Sequence, residues 1–141
     1  MISLLYVSSA TRPFEKTDLI ELLRHSRSNN EALGVTGILL EIGGNFMQAL
    51  EGEESAVDPL FAKIAKDPRH DQVKTILRLP ITRRLFGDWA MAFKEAGLLP
   101  PEMRAEISSF IDDARRNDQT ERASSGSPAV RILERFAVTM R

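Results

Sequence analysis

Residues 35–51 read VTGILLEIGGNFMQALE and predict a β-hairpin. The two halves are rich in strand-forming residues, and Gly43-Gly44 between them is a strong two-residue turn signal. Gln48 shares strand parity with Phe46 and Leu50, so its amide points to the same face as two large apolar side chains. A buried amide needs hydrogen-bond partners, which makes Gln48 a candidate for a binding site or a side-chain network.

Further strand and helix signals surround this hairpin. Residues 1–9 read as a strand with few charges, which favours an interior position in the sheet. Thr17 is the predicted N-cap of the first helix, and Gly34 is its C-terminal turn. The predicted elements are strands over 1–9, 35–42, 45–51, 73–79 and 88–94, and helices over about 18–32 and 55–67. This β-α-β-β-α-β-β order predicts an α+β fold, a ferredoxin-like sheet with both helices on one face.

The composition changes after Gly97, where a Leu-Leu-Pro-Pro sequence ends the strand pattern. Two apolar helical stripes follow, separated by a polar, Ser-rich stretch over 115–127 that predicts a flexible connection. We therefore predict a domain over residues 1–96 and a C-terminal extension over 97–141, whose two helices pack on the other face of the sheet. The stripes consist of Met103, Ile107, Phe110 and Ile111, and then of Val130, Leu133, Phe136, Ala137 and Met140.

Composition and missing motifs exclude several classes of function. The 141 residues include 19 basic and 20 acidic side chains and no cysteine, and the net charge of −1 draws the chain neither to nucleic acid nor to membrane. The lack of cysteine, of a signal-peptide pattern and of a long apolar run predicts a soluble cytoplasmic protein. The sequence has no phosphate loop and no nucleophile elbow, and His25 and His70 lack metal-ligand spacing, so no catalytic or metal site is predicted.

Three polar residues stand where the periodicity is apolar. Tyr6 shares strand parity with the apolar residues at 2 and 4, and Asn30 ends a helical stripe that contains leucines and Ser26. With Gln48 they bring a phenol and two amides into a small core, where each unsatisfied group costs roughly 1–3 kcal/mol. A bound polar ligand and a dedicated side-chain network both account for this set.

Other conspicuous residues have simpler explanations. Glu51 and two acidic neighbours precede the second helix, where they favour the helix N-terminus. Arg83-Arg84 is typical of a solvated turn. Trp89 and Met91 share parity on the last predicted strand, and taken alone such residues belong to core packing more often than to a site.

Taken together, these residues resemble the BLUF domain, the family of blue-light sensors that use FAD. The matching motifs run in order, at the family's spacings, over about residues 1–95. They are Tyr6, Asn29-Asn30, Gly34-Val35-Thr36-Gly37, Phe46-Met47-Gln48-Ala49-Leu50-Glu51-Gly52, Asp67-Pro68-Arg69-His70, Pro80-Ile81-Thr82-Arg83-Arg84 and Phe86-Gly87-Asp88-Trp89-Ala90-Met91. The resemblance implies that 1–96 is a flavin-binding photosensor domain. Since roughly 45 further residues are too few for a cyclase, it also implies a short stand-alone photoreceptor that is not an enzyme.

The resemblance also implies where FAD binds. The flavin ring would lie between the two helices, with Asn30 at its carbonyl and ring-nitrogen edge and Gln48 between the ring and Tyr6. Ile64 would pack on the ring. The remaining cofactor-binding residues would be Asp67, Arg69 and His70 near the polar ring edge or ribityl chain, with Ser26 and Asn29 as further contacts. FMN and riboflavin would share the ring contacts.

Light-driven switching, rather than turnover, is the implied mechanism. Blue light would move an electron and a proton from Tyr6 through Gln48, and recombination would then leave the Gln48 amide rotated or tautomerised. Trp89 and Met91 complete the implied photoactive set, and the residues do not choose which lies beside Gln48. The last strand and the C-terminal helices would carry the change to a protein partner or into a homodimer. From other classes, an acylphosphatase-like phosphohydrolase and a non-flavin ligand-binding α+β module are the alternative functions.

Overall fold

The computed structural model of the chain describes residues 1–95, 99–116 and 128–139. Its strands form one five-stranded sheet in the order β4-β1-β3-β2-β5, antiparallel except for the β2–β5 pair. The elements are β1 Ile2–Ala10, α1 Lys16–Leu33, β2 Thr36–Ile42, β3 Asn45–Gly52, α2 Glu54–Ala65, β4 His70–Pro80, β5 Ala92–Glu95, α3 Pro101–Arg116 and α4 Pro128–Thr139. The predicted α+β, ferredoxin-like fold is confirmed.

The sheet separates two apolar cores, one on each face. Along β1, Leu4 and Tyr6 point toward α1 and α2, whereas Leu5 and Val7 point toward α3 and α4. This alternation follows from the two-residue period of a strand, and burial on both faces explains why the strand is almost free of charge. The predicted placement of helices on the two faces is therefore correct.

Glycines allow the hairpin and a close approach between its strands. Gly43 and Gly44 adopt φ of 55° and 85°, as a two-residue hairpin turn requires. Gly37 in β2 packs so tightly on β3 that a Cβ atom there would lie 2.0 Å from the carbonyl oxygen of Ala49. The backbone beside Gln48 therefore depends on the absence of a side chain at residue 37.

Two local predictions are wrong. The N-cap of α1 is Glu15 rather than Thr17, because Glu15 and Asp18 form a reciprocal capping box in which the Glu15 N–H donates to Asp18 Oδ2 at 3.0 Å. The predicted strand over 88–94 begins only at Ala92. Before it the chain turns, with the Trp89 N–H donating to the Phe86 carbonyl at 3.0 Å.

Because of this turn, Trp89 and Met91 do not share a face. Met91 is buried in the core beneath α1 and α2, whereas Trp89 packs, partly buried, against the core beneath α3 and α4. The two-residue period on which their shared parity was predicted holds only within a continuous strand.

Some predictions fall outside the described residues. One is the flexible connection over 115–127, of which only the first two residues are described, at the end of α3. Another is the place of Met140 in the last apolar stripe. The proposed boundary at 96/97 also lies there. Among the described residues, no helix is both long enough and apolar enough to cross a bilayer.

Candidate functional site

A cavity of about 370 Å³ opens between α1, α2 and the sheet. Small-molecule sites commonly enclose about 300–1,000 Å³. Every residue predicted to bind the cofactor lies on its wall, together with Tyr6. These lining residues are Tyr6, Ser26, Asn29, Asn30, Gln48, Ile64, Asp67, Arg69 and His70. Five separate elements, β1, α1, β3, α2 and β4, and the turn after α2 bring these predicted residues together.

Tyr6 and Gln48 form the hydrogen-bonded centre of the wall. They are direct partners across the antiparallel β1–β3 pair, and the Tyr6 hydroxyl donates to Gln48 Oε1. The Gln48 Nε2 in turn donates to the sulfur of Met91 at 3.5 Å. All three side chains are buried. Burial, and secondarily the charge of Asp67, raises the pKa of Tyr6 well above its usual range, so the phenol is a neutral donor.

Asn30 links α1 to the segment that carries Met91. Its buried side chain donates from Nδ2 to the Ala90 carbonyl at 2.8 Å. Three residues earlier, Arg27 Nε donates to the Met91 carbonyl at 3.0 Å. The polar end of the predicted α1 stripe therefore both lines the cavity and holds the main chain beside Gln48.

A charged pair closes the end of the cavity beyond α2. Asp67 accepts hydrogen bonds from the backbone N–H of Arg69 at 2.9 Å and from its guanidinium at 2.5 Å. The hydrogen bond from Arg69 is the main cause that lowers the pKa of Asp67 below its usual value. These hydrogen bonds with Asp67 hold the Arg69 guanidinium at the wall of the cavity.

His70 connects the cavity to the sheet. Its Nε2 lies 2.7 Å from the Ile64 carbonyl, which can only accept, so this nitrogen carries a proton. Its Nδ1 lies 2.8 Å from the hydroxyl oxygen of Ser8, which is fully buried in β1. The imidazole ring also packs edge-on against Tyr6, with ring centroids 6.1 Å apart.

The structure adds residues that the sequence analysis did not assign to the site. They are Phe14, Leu22, His25, Leu39, Phe46, Leu60 and Lys63. His25 could have been predicted from the sequence as a lining residue, because it lies one helical turn before Asn29 and therefore on the same face of α1. Of the predicted photoactive set, neither Met91 nor Trp89 lines the cavity: Met91 contacts Gln48 through its sulfur, and Trp89 packs at a tilt against Phe86, with ring centroids 6.5 Å apart.

Comparison with known proteins identifies the family. The family model described as "Sensors of blue-light using FAD" matches residues 1–92. The chain belongs to the BLUF family. The predictions of a blue-light photoreceptor with FAD as cofactor, in a sensor rather than an enzyme family, are confirmed. The match favours this function over the phosphohydrolase and non-flavin alternatives.

Individual BLUF relatives agree with this assignment. The photoactivated adenylate cyclase subunit beta of Euglena longa is 39% identical over 92 residues, which cover 64% of this chain but 11% of that protein. The chain thus spans about a tenth of that relative's length. Among solved structures, the dark state of the BLUF protein BlrB has a TM-score of 0.74 and 35% identity, covering 98% of this chain and 96% of that one. A bacterial light-regulated adenylyl cyclase has a TM-score of 0.77 and 28% identity, covering 82% and 35%.

The lining of the cavity fits the cofactor of a BLUF domain. Apolar side chains from both helices and the sheet, among them Leu22, Leu39 and Ile64, provide surfaces for a flat aromatic ring. Amides, a phenol and a guanidinium supply donors and acceptors for the polar edge of such a ring. This division between apolar faces and polar edges is what isoalloxazine presents.

Proposed function

We propose that the cavity holds the flavin ring of FAD between α1 and α2, and that Asn30 and Gln48 hydrogen-bond its polar edge. Asn30 takes the carbonyl and ring-nitrogen edge, and Gln48 lies between the ring and Tyr6. Ile64 packs on the ring. The common wall that these side chains form, and the mixture of apolar and amide groups in it, support this arrangement.

The remaining contacts are assigned to the polar side of the cofactor. Asp67, Arg69 and His70 lie near the ring edge or the ribityl chain, and Ser26 and Asn29 add contacts from α1. The hydrogen bonds that fix Arg69 and His70 support this role, because they orient both side chains before any ligand arrives.

When bound, FAD supplies the absorption of blue light and an acceptor for one electron. Tyr6 releases the electron and shifts its hydroxyl proton toward Gln48 Oε1, to which it already donates. The electron and the proton then return to Tyr6, and this recombination leaves the Gln48 amide rotated or tautomerised, so that its donor and acceptor ends exchange. The two ends of an amide are nearly the same size, so the exchange inverts polarity at little cost in volume.

Met91, rather than Trp89, takes the place beside Gln48. Its sulfur accepts from Gln48 Nε2, and a thioether is a weak acceptor that loses little when the amide turns away. Trp89 packs against the opposite core. Reorientation of Gln48 therefore acts first on Met91 and then on β5, which begins at the next residue.

For the output we propose a sensor domain over 1–96 and a helical extension over 97–141 that passes the light signal to a protein partner or to a second copy in a homodimer. Contacts between the sheet and the end of α3 support this. Lys74 donates to the Ala114 carbonyl, and Arg115 donates to Asn45 Oδ1 at 2.7 Å and to the Ser8 carbonyl at 3.2 Å. The near-neutral charge argues against a nucleic-acid or membrane partner, and the lack of cysteine favours the cytoplasm.

One observation carries the proposal: the hydroxyl of Tyr6 donates to Gln48 on the wall of the cavity. The test is the visible absorption spectrum of the FAD-loaded protein in the dark and just after blue illumination. We expect a flavin spectrum that shifts slightly to the red and returns in the dark.

Two variants sharpen this test. Gln48→Met keeps the shape of the side chain but removes the amide, so it should retain the flavin and lose the shift. Trp89→Phe is the matched control on the other side of the sheet and should keep the shift. A colourless protein that takes up no FAD, or an unchanged shift in Gln48→Met, would contradict the proposal.

A further inference from the structure

Glu51 is a buried acid to which the proposed photochemistry assigns no role. Its side chain is 1% exposed and lies on the opposite face of β3 from Gln48. From the sequence alone, Glu51 belongs to a group of acidic residues expected to favour the start of α2. The structure contradicts that interpretation, since the carboxylate points away from solvent and makes long-range contacts.

The carboxylate of Glu51 binds a segment far along the chain. Its Oε2 accepts from the Leu85 N–H at 2.7 Å, and its Oε1 accepts from the Phe86 N–H at 3.0 Å. The hydroxyl of Thr36 donates to Oε1 at 3.0 Å and itself accepts from Arg84 Nη1 at 2.9 Å. A buried charge with this many donors is costly to disturb, because each donor would lose a charged acceptor.

The other end of the same segment is held through three of its own carbonyl groups, which accept hydrogen bonds from α1 and β2. The Gly37 N–H donates to the Trp89 carbonyl at 3.2 Å. Asn30 and Arg27 donate to the carbonyls of the next two residues, Ala90 and Met91, as described above. Residues 84–91 form neither a helix nor a strand, yet side chains and β2 fix both of their ends.

Fixing both ends sets the direction of the side chains between them. Phe86 is fully buried and turns the chain so that Trp89 lies against one core and Met91 lies in the other. The segment has no sheet ladder before Ala92 to impose these directions. The Glu51 carboxylate accepts from the backbone N–H groups of two consecutive residues of this segment, Leu85 and Phe86.

We propose that Glu51 is a positioning residue for the light switch: by binding the amides of Leu85 and Phe86, its carboxylate holds the 84–91 segment with Met91 against Gln48 and Trp89 against the core on the opposite face of the sheet. Glu51 acts through the segment and touches neither the cofactor nor Gln48. The effect on the photocycle rests on the proposed function, whereas the effect on the segment does not.

The test compares Glu51→Gln with Glu53→Gln, which removes the same charge from an exposed side chain two residues later. In the full-length protein with FAD, Glu51→Gln should speed amide exchange at Leu85 and Phe86 by about tenfold, since an NH₂ group replaces one acceptor oxygen. The emission of Trp89, the single tryptophan, should shift, and so should the rate of dark recovery. Glu53→Gln should match the wild type in all three measurements.

Each result has a defined meaning. Unchanged exchange at Leu85 and Phe86 in Glu51→Gln overturns the proposal. Faster exchange with wild-type Trp89 emission and wild-type dark recovery also overturns it, because Glu51 would then be only an anchor. A wild-type protein without a light response would refute the proposed function, while the exchange and emission data from the same samples would still test the role of Glu51.

A second variant covers the case in which Glu51→Gln does not fold. Arg27→Met releases the other end of the segment from an exposed helix position, and Arg24→Met, one turn earlier, is its control. Arg27→Met should shift Trp89 emission and dark recovery, and Arg24→Met should change neither. Wild-type behaviour of Arg27→Met would show that holding the segment does not control the switch.

Discussion

The hydrogen bond between Tyr6 and Gln48 can be tested by its energetic coupling in the absence of light. Tyr6→Phe removes the donor but keeps the ring, which packs against Phe61 with centroids 5.3 Å apart. Gln48→Met removes the acceptor but keeps the length of the side chain. The double variant removes both groups at once, so the two single changes and the double change form a cycle.

The expected loss of unfolding free energy follows from the burial of both side chains. Tyr6 is 3% exposed and Gln48 is 4% exposed, so either single change leaves a buried polar group without its partner. Such a group costs about 1–3 kcal/mol, whereas replacing both partners by apolar groups of similar shape is nearly neutral. We therefore expect each single variant to lower the free energy of unfolding by about 1–3 kcal/mol, and the double variant to lose at least about 1 kcal/mol less than their sum.

Urea unfolding of the flavin-free protein is the appropriate assay, because differences in FAD affinity would otherwise enter the apparent stability. The four proteins should have equal m-values, so that differences in midpoint report stability. If the double variant loses the sum of the two single losses within about 0.5 kcal/mol, Tyr6 and Gln48 are not coupled and the proposed relay loses its first step. With FAD bound, Tyr6→Phe should keep the flavin and lose the light-induced shift.

Three further predictions concern the surroundings of the site. The pKa of Asp67 is lowered in the folded protein, so its ion pair with Arg69 stabilises the fold above about pH 4 and this stabilisation is lost as the pH falls further. The free energies of unfolding of the wild type and of Asp67→Asn should therefore differ at neutral pH and become equal in acid. Gly37→Ala should cost about 1–3 kcal/mol by urea unfolding, because its Cβ would collide with Ala49, and wild-type stability would refute the close approach. Arg115→Met should speed amide exchange in α3 without changing the dark flavin spectrum, and unaltered exchange would show that Arg115 does not tie α3 to the sheet.

Residues whose role follows from short-range periodicity could be predicted from the sequence. Tyr6, Gln48 and Asn30 each break an apolar repeat of known period, and the Gly43-Gly44 turn fixes which residues of the hairpin face each other. The strand order and the two cores then follow from the order of elements. The family resemblance added the residues after α2, which belong to no repeat and could not be placed by periodicity alone.

Interactions between distant segments without regular structure could not be predicted. Glu51 binds amides more than 30 residues later, and nothing in the composition around it distinguishes this partner from solvent. The separation of Trp89 from Met91 likewise depends on the turn at Phe86. This turn ends the strand periodicity, and the sequence pattern does not reveal it. Glu15 was missed as an N-cap because its role depends on a reciprocal bond with Asp18, while Thr17 has the more common capping side chain.

The sheet that carries Tyr6 and Gln48 is a partition only one backbone thick. Met47 and Ala49 flank Gln48 along β3, face the other way and are buried in the core with α3 and α4. A main-chain shift at Gln48 would therefore move two side chains on the face of the sheet opposite the cavity. We therefore expect substitutions such as Met47→Leu, which leave the lining of the cavity unchanged, to alter the lifetime of the light-adapted state.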